Sequence, residues 1–108
     1  MERRVRRTRL RPGRQTRYRL IHARVPDRLA DALRDAGVQS WEIWCDGLSL
    51  IHIIDCVVSY DATMAHLSAY EPDPTWDELI AECLDPAPEA NTSLQQVWYL
   101  NSATQGPG

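Results

Sequence analysis

The pair Asp46-Gly47, set between two runs of alternating residues, constrains this chain more than any other feature. Asp-Gly is a strong hairpin signal, and the flanking runs have the two-residue period of strands. Trp41, Ile43 and Cys45 alternate with Glu42 and Trp44 before the turn. Leu48, Leu50, His52, Ile54 and Cys56 alternate with Ile51, Ile53, Asp55 and Val57 after it. A loop of two or of four residues leaves the parity unchanged, so His52 shares a sheet face with Trp41 and Ile43 in either case. Asp55 is an acid in an otherwise apolar run, to be paired with an arginine or to face a cavity.

The remaining elements group around this hairpin. Val5 to Leu10 reads as a first strand with Val5 and Thr8 inward, and Arg11-Pro12-Gly13 ends it. Tyr18, His22, Val25, Leu29, Leu33 and Ala36 then recur three and four apart, one helical stripe closed by Gly37. Pro26 removes a backbone donor and clashes with the preceding turn, so the helix should kink or restart there. After the hairpin, Asp61 caps a helix carrying Met64, Leu67 and Tyr70. Thr75 and Glu78 form a capping box for a helix carrying Trp76, Leu79, Ile80, Cys83 and Leu84. Leu94 to Leu100 reads as a closing strand, and residues 101–108 as a flexible tail. The domain is therefore residues 1–100. Strand, helix, strand, strand, helix pair, strand is the ferredoxin-like α+β order, an antiparallel sheet with helices on one face. The other face still carries apolar residues, which predicts a homodimer.

Charge is distributed unevenly. Residues 1–34 hold all twelve arginines against Glu2, Asp27 and Asp31, for +9; residues 35–108 hold the other twelve acids and no base, for −12. A basic arm can bind phosphate backbones. This one lacks lysine, glycine-rich loops and interleaved exposed aromatics, so its arginines are read as neutralising acids elsewhere in the fold or in a partner subunit, and nucleic acid is not expected as a partner. No apolar run approaches the roughly 20 residues that span a bilayer, and the arginine-rich start is not a secretory signal, which together predict a cytoplasmic protein. Cys45, Cys56 and Cys83 are odd in number and lie in apolar segments, as core residues rather than a disulfide framework or metal knuckle. No bound zinc is implied.

Tyr18 and His22 are the best candidates for chemistry. Four apart on a helix, they place a phenol and an imidazole on one face, one turn apart. An imidazole that titrates near neutrality can give and take protons, and a neighbouring phenol can hold a hydroxyl-rich ligand. His52 reads as a core or cavity-edge histidine, and His66 as solvent-facing.

Taken in order, Arg11-Pro12-Gly13, Tyr18-x-x-x-His22, Val25-Pro26, Leu29, Gly37-x-x-x-Trp41-x-Ile43, Trp76 and Leu94-Gln95-Gln96-Val97-Trp98-Tyr99-Leu100 resemble the L-rhamnose mutarotase family. The resemblance runs from about Val5 to Leu100. It implies a dimeric ferredoxin-like α/β-barrel isomerase, with neither metal nor organic cofactor, that interconverts the α and β anomers of a 6-deoxy sugar. His22 is then the catalytic proton donor, and Tyr18, Trp41, Trp76 and Asp77 are the substrate-binding residues. Two positions depart from the pattern. Trp41 stands where the family often has tyrosine, and Trp76 is followed by Asp77 rather than a second tryptophan. Asp77 can accept hydrogen bonds from sugar hydroxyls and so points to L-fucose beside L-rhamnose; equally, it can be a first-turn helix acid facing water. Rival readings are a ferredoxin-like dimer acting on another substrate, such as a monooxygenase, an arginine-rich nucleic-acid module, and a catalytically silent sugar sensor.

Overall fold

Alternation around Asp46-Gly47 folds as the spacing dictates. In the computed structural model, which describes residues 1–108, β2 (Val38–Asp46) and β3 (Ser49–Cys56) pair antiparallel through the two-residue loop Gly47-Leu48. Gly47 has φ of 60° and Leu48 does not have a positive φ, the sign pattern of a type II′ turn with glycine first. The register sets Ile43 opposite His52 and Trp41 opposite Ile54, so the expected face is formed.

On its other side β3 pairs with β1 (Glu2–Arg9), and β1 pairs with β4 (Thr92–Leu94). The sheet order β2-β3-β1-β4, antiparallel throughout, is the ferredoxin-like arrangement. The first strand starts at Glu2, earlier than expected, and only one of its two inward candidates points to the helices. Thr8 lies opposite Leu50 on the helix side, while Val5 lies opposite Ile53 and Leu94 on the open side. Residues three apart on a strand must face opposite ways.

Helices cover one face. The long stripe breaks where Pro26 requires, into α1 (Gln15–His22) and α2 (Asp27–Asp35). Two caps differ from the expected ones. α3 (Tyr60–Leu67) is capped by Ser59, whose hydroxyl accepts from the Ala62 N–H, and not by Asp61. α4 (Pro74–Cys83) is capped by Asp73, which accepts from the N–H groups of Thr75 and Trp76, because Pro74 fits the first helical position and starts the helix before Thr75.

The closing segment also differs. Only Thr92–Leu94 joins the main sheet; Trp98–Leu100, β5, pairs instead with Gln105–Pro107, β6. Residues 101–108 form this hairpin's turn and return strand rather than a loose end. Asn101 Oδ1 accepts from the N–H groups of Ala103 and Thr104, and Trp98 Nε1 donates to Gln105.

The core is thin. Only nine of 108 residues are buried, among them Leu10, Tyr18, Leu50, Ile54, Cys56 and Cys83, because a cavity occupies part of the helix side and nothing covers the other. Cys56 and Cys83 are core residues as expected, whereas Cys45 is exposed. On the open face Trp44 is 61 % exposed and Leu94 38 %.

The charge asymmetry resolves inside the fold. Arg3, Arg4, Arg9, Arg17 and Arg28 pair with Asp55, Asp61, Asp85, Glu82 and Glu71, each joining the basic segment to the acidic one. Asp55 is the most enclosed of these acids. Arg3 donates to both of its oxygens at 2.8 and 2.9 Å, and Ser40, brought opposite by a bulge after Val38, donates at 3.1 Å. The hydrogen bonds from Arg3 hold the Asp55 carboxyl below its ordinary range.

Candidate active site

A cavity of about 650 Å³ lies between the sheet and the helices. Its polar groups come from two directions. α1 contributes Tyr18 and His22 from one face of one turn, and the first turn of α4 contributes Trp76. The sheet contributes Thr8, Trp41 and His52. Val25, just before Pro26, and Leu29 and Leu33 beyond it supply apolar wall with Ile43, Leu50 and Ile80. A mostly apolar cavity with a few convergent polar groups is the usual form of a small-molecule site.

His22 sits between two rings. Its centroid is 4.9 Å from that of Tyr18, tilted by 35°, and 5.2 Å from Trp76, edge to face. Because α1 ends at His22, the imidazole lies at the helix terminus that Pro26 creates. Neither its ring nor the Tyr18 hydroxyl forms a hydrogen bond with another side chain, so both remain available to a ligand. Burial pushes His22 below its ordinary value, partly offset by its own backbone, and so favours the neutral ring. Burial pushes Tyr18 up to about 12, with Cys83 and Cys45 adding to the effect, so the phenol keeps its proton at neutral pH.

His52 is held on both sides. The Trp41 indole N–H donates to Nδ1 at 3.2 Å, and Nε2 lies 2.9 Å from the Thr8 hydroxyl. Burial, then the neighbouring His22 and Arg6, lower it to about 4. It is therefore a neutral histidine at physiological pH.

Four of the five expected site residues, Tyr18, His22, Trp41 and Trp76, are brought together around this cavity. Asp77 is not: it is exposed in the first turn of α4, outside the cavity lining, where an acid favours the helix terminus. Sequence reasoning missed Thr8 as a cavity residue, together with Gln15 and Arg19 at the α1 wall. Hairpin parity already linked His52 to Trp41, but the pairing of β1 with β3 that adds Thr8 has no local signature. No cluster of three or more His, Cys, Asp or Glu side chains is arranged to hold a metal ion.

Comparison with known proteins agrees with this architecture. A crystal structure of an L-rhamnose mutarotase from Formosa agariphila superposes with a TM-score of 0.74 at 23 % identity, covering 94 % of this chain and 100 % of the other. At that identity the likeness speaks for the fold. No curated protein sequence matches the chain. The sequence description of L-rhamnose mutarotase matches residues 3–100, nearly the whole chain. On that match the chain belongs to the L-rhamnose mutarotase family, a family of isomerases.

Proposed function

We propose that the cavity interconverts the α and β anomers of L-rhamnose, with His22 delivering the proton that opens the ring. The position of His22 carries this reading: an imidazole with no side-chain hydrogen-bond partner, flanked by a phenol and an indole, in a cavity otherwise largely apolar. Ring opening needs a proton at the ring oxygen while the anomeric hydroxyl loses one; the aldehyde then rotates about C1 and recloses from its other face. The resting ring is neutral, so it takes the proton that the anomeric hydroxyl loses and, as an imidazolium whose acidity burial raises, gives that proton to the ring oxygen. The Tyr18 phenol, protonated at neutral pH, holds or donates to a sugar hydroxyl, and the indoles of Trp76 and Trp41 supply flat surfaces for C–H faces and the 6-methyl group. With Asp77 outside the cavity, the feature that singled out L-fucose does not reach the sugar, and L-rhamnose is the preferred substrate.

The same reading includes a homodimer of single-domain chains. Val5, Ile51, Ile53, Trp44 and Leu94 share the uncovered sheet face, and a second copy supplies the same apolar surface in return. No helix is long and apolar enough to cross a membrane, and three free thiols suit a reducing compartment, for which we propose the cytoplasm.

Saturation-transfer NMR on the anomeric protons of L-rhamnose and L-fucose tests the activity. Wild-type protein should speed exchange well beyond buffer, and L-rhamnose more than L-fucose. Exchange at the buffer rate for both sugars sinks the mutarotase reading. Sedimentation should give the mass of two chains, and a Trp44→Glu variant should sediment as one.

A further inference from the structure

His22 and His52 share one cavity, yet the proton inventory of His52 is already fixed. An indole nitrogen can only donate, so the 3.2 Å contact from Trp41 makes Nδ1 of His52 an acceptor. A neutral imidazole with Nδ1 as acceptor carries its proton on Nε2. At 2.9 Å that N–H must donate to the Thr8 hydroxyl oxygen. Thr8 then cannot direct its own proton at His52, and its hydroxyl makes no other hydrogen bond. Thr8 lines the cavity, so its O–H faces the ligand space with one orientation excluded.

Resting on the mutarotase reading, we infer that Thr8 is a substrate-binding residue, donating its hydroxyl proton to a sugar oxygen from the sheet side, and that His52 is the positioning residue that sets its direction. The chain Trp41 to His52 to Thr8 runs one way, each group donating to the next, and ends in a donor aimed at the ligand. This gives the sheet a polar contact opposite the α1 wall and lets it discriminate where a sugar places an oxygen. It also gives Trp41 a second duty: besides offering a flat face, its N–H fixes the tautomer that orients Thr8. His52 itself has no free nitrogen with which to move a proton, so it takes no part in ring opening.

Kinetics on L-rhamnose test this, with KM and kcat separated. Thr8→Val keeps the shape and loses the hydroxyl; KM should rise about fivefold, as for one hydrogen bond to a neutral group, with kcat little changed. Thr8→Ser should restore KM. His52→Phe should raise KM as Thr8→Val does, and the double variant should be no worse than either, since the two residues act as one unit. Thr8→Val with wild-type KM overturns the proposal and leaves the mutarotase reading standing. A loss confined to kcat in His52→Phe overturns the positioning role. Wild-type protein without catalysis overturns the mutarotase reading and the sugar contact with it. Independently of turnover, ¹⁵N NMR of the wild type should show His52 as the Nε2–H tautomer, unchanged from about pH 5 to 8. A titrating ring, or the Nδ1–H form, overturns the proposal.

Discussion

The α1 wall and the sheet floor of the cavity each present a histidine, and the two are set up in opposite ways. His22 touches two aromatic rings but bonds to no other side chain, whereas His52 has both nitrogens engaged, by Trp41 and by Thr8. Burial lowers both. The difference lies in hydrogen bonding: an imidazole without side-chain partners can exchange protons with a ligand, while one with both nitrogens engaged by side chains can only orient its neighbours. Titratable residue type alone would rank the pair as equals, and the partner inventory separates them.

Removing each histidine should break the comparison in a different observable. His22→Ala should lower kcat for anomer exchange by about 10²–10⁴-fold, the usual worth of positioned acid–base chemistry, at a stability cost of about 1 kcal/mol from its two ring contacts. Exchange NMR and thermal melts measure both, and a variant with full rate would falsify the role of His22. His52→Ala should show the reverse emphasis. It strips the Trp41 N–H of its acceptor and should destabilise the fold by about 2 kcal/mol, read by urea unfolding, with the fall in kcat far smaller than for His22→Ala.

Acid should act on the two histidines before it reaches the carboxylates. His52 titrates at about 4 in the folded chain against an ordinary 6.5, and His22 is also lowered. Below 6.5 the unfolded chain therefore binds protons that the folded chain refuses, so stability should be complete above about pH 6.5 and fall as pH drops toward 4. Asp55 is lowered from 3.8, so its contribution holds above that value and is lost only at lower pH. Melts across this range should show a decline above pH 4 that is reduced in His52→Phe; a flat profile would remove burial as the cause of the shift. The smallest effect belongs to the open face. Arg3 is 58 % exposed, so Arg3→Ala should cost only about 1 kcal/mol or less despite its paired bonds to Asp55, as double-mutant unfolding can measure.

Legibility in the sequence followed the range of the interactions. The hairpin, its parity and the break at Pro26 were readable because each depends on residues within a few positions. So was the Tyr18–His22 face, which is one helical turn. The caps at Ser59 and Asp73 displaced neighbouring candidates that look equally suitable, since capping is a competition over one or two positions. Leu94–Leu100 reads as one strand by composition, yet only its first residue joins the main sheet, and Trp98 to Leu100 pairs with Gln105 to Pro107, a segment without strand character of its own. Asp77 is a candidate only through the resemblance, as the residue that stands where relatives carry a second tryptophan; on a helix, neighbouring residues point about 100° apart, and of the two only Trp76 lines the cavity.

By itself the sequence determined which residues could share a face. Periods of 2 and 3.6 are local geometry, so they set Trp41, Ile43 and His52 on one side of a sheet and Tyr18 and His22 on one side of a helix. Tertiary structure decided what those faces meet. The pairing of β1 with β3 spans more than forty residues and carries no periodic signature, yet it alone brings Thr8 to His52 and sets Arg3 on Asp55. Whether a histidine can move a proton depends on such partners, which is why it is the fold, and not spacing, that distinguishes the surroundings of His22 from those of His52.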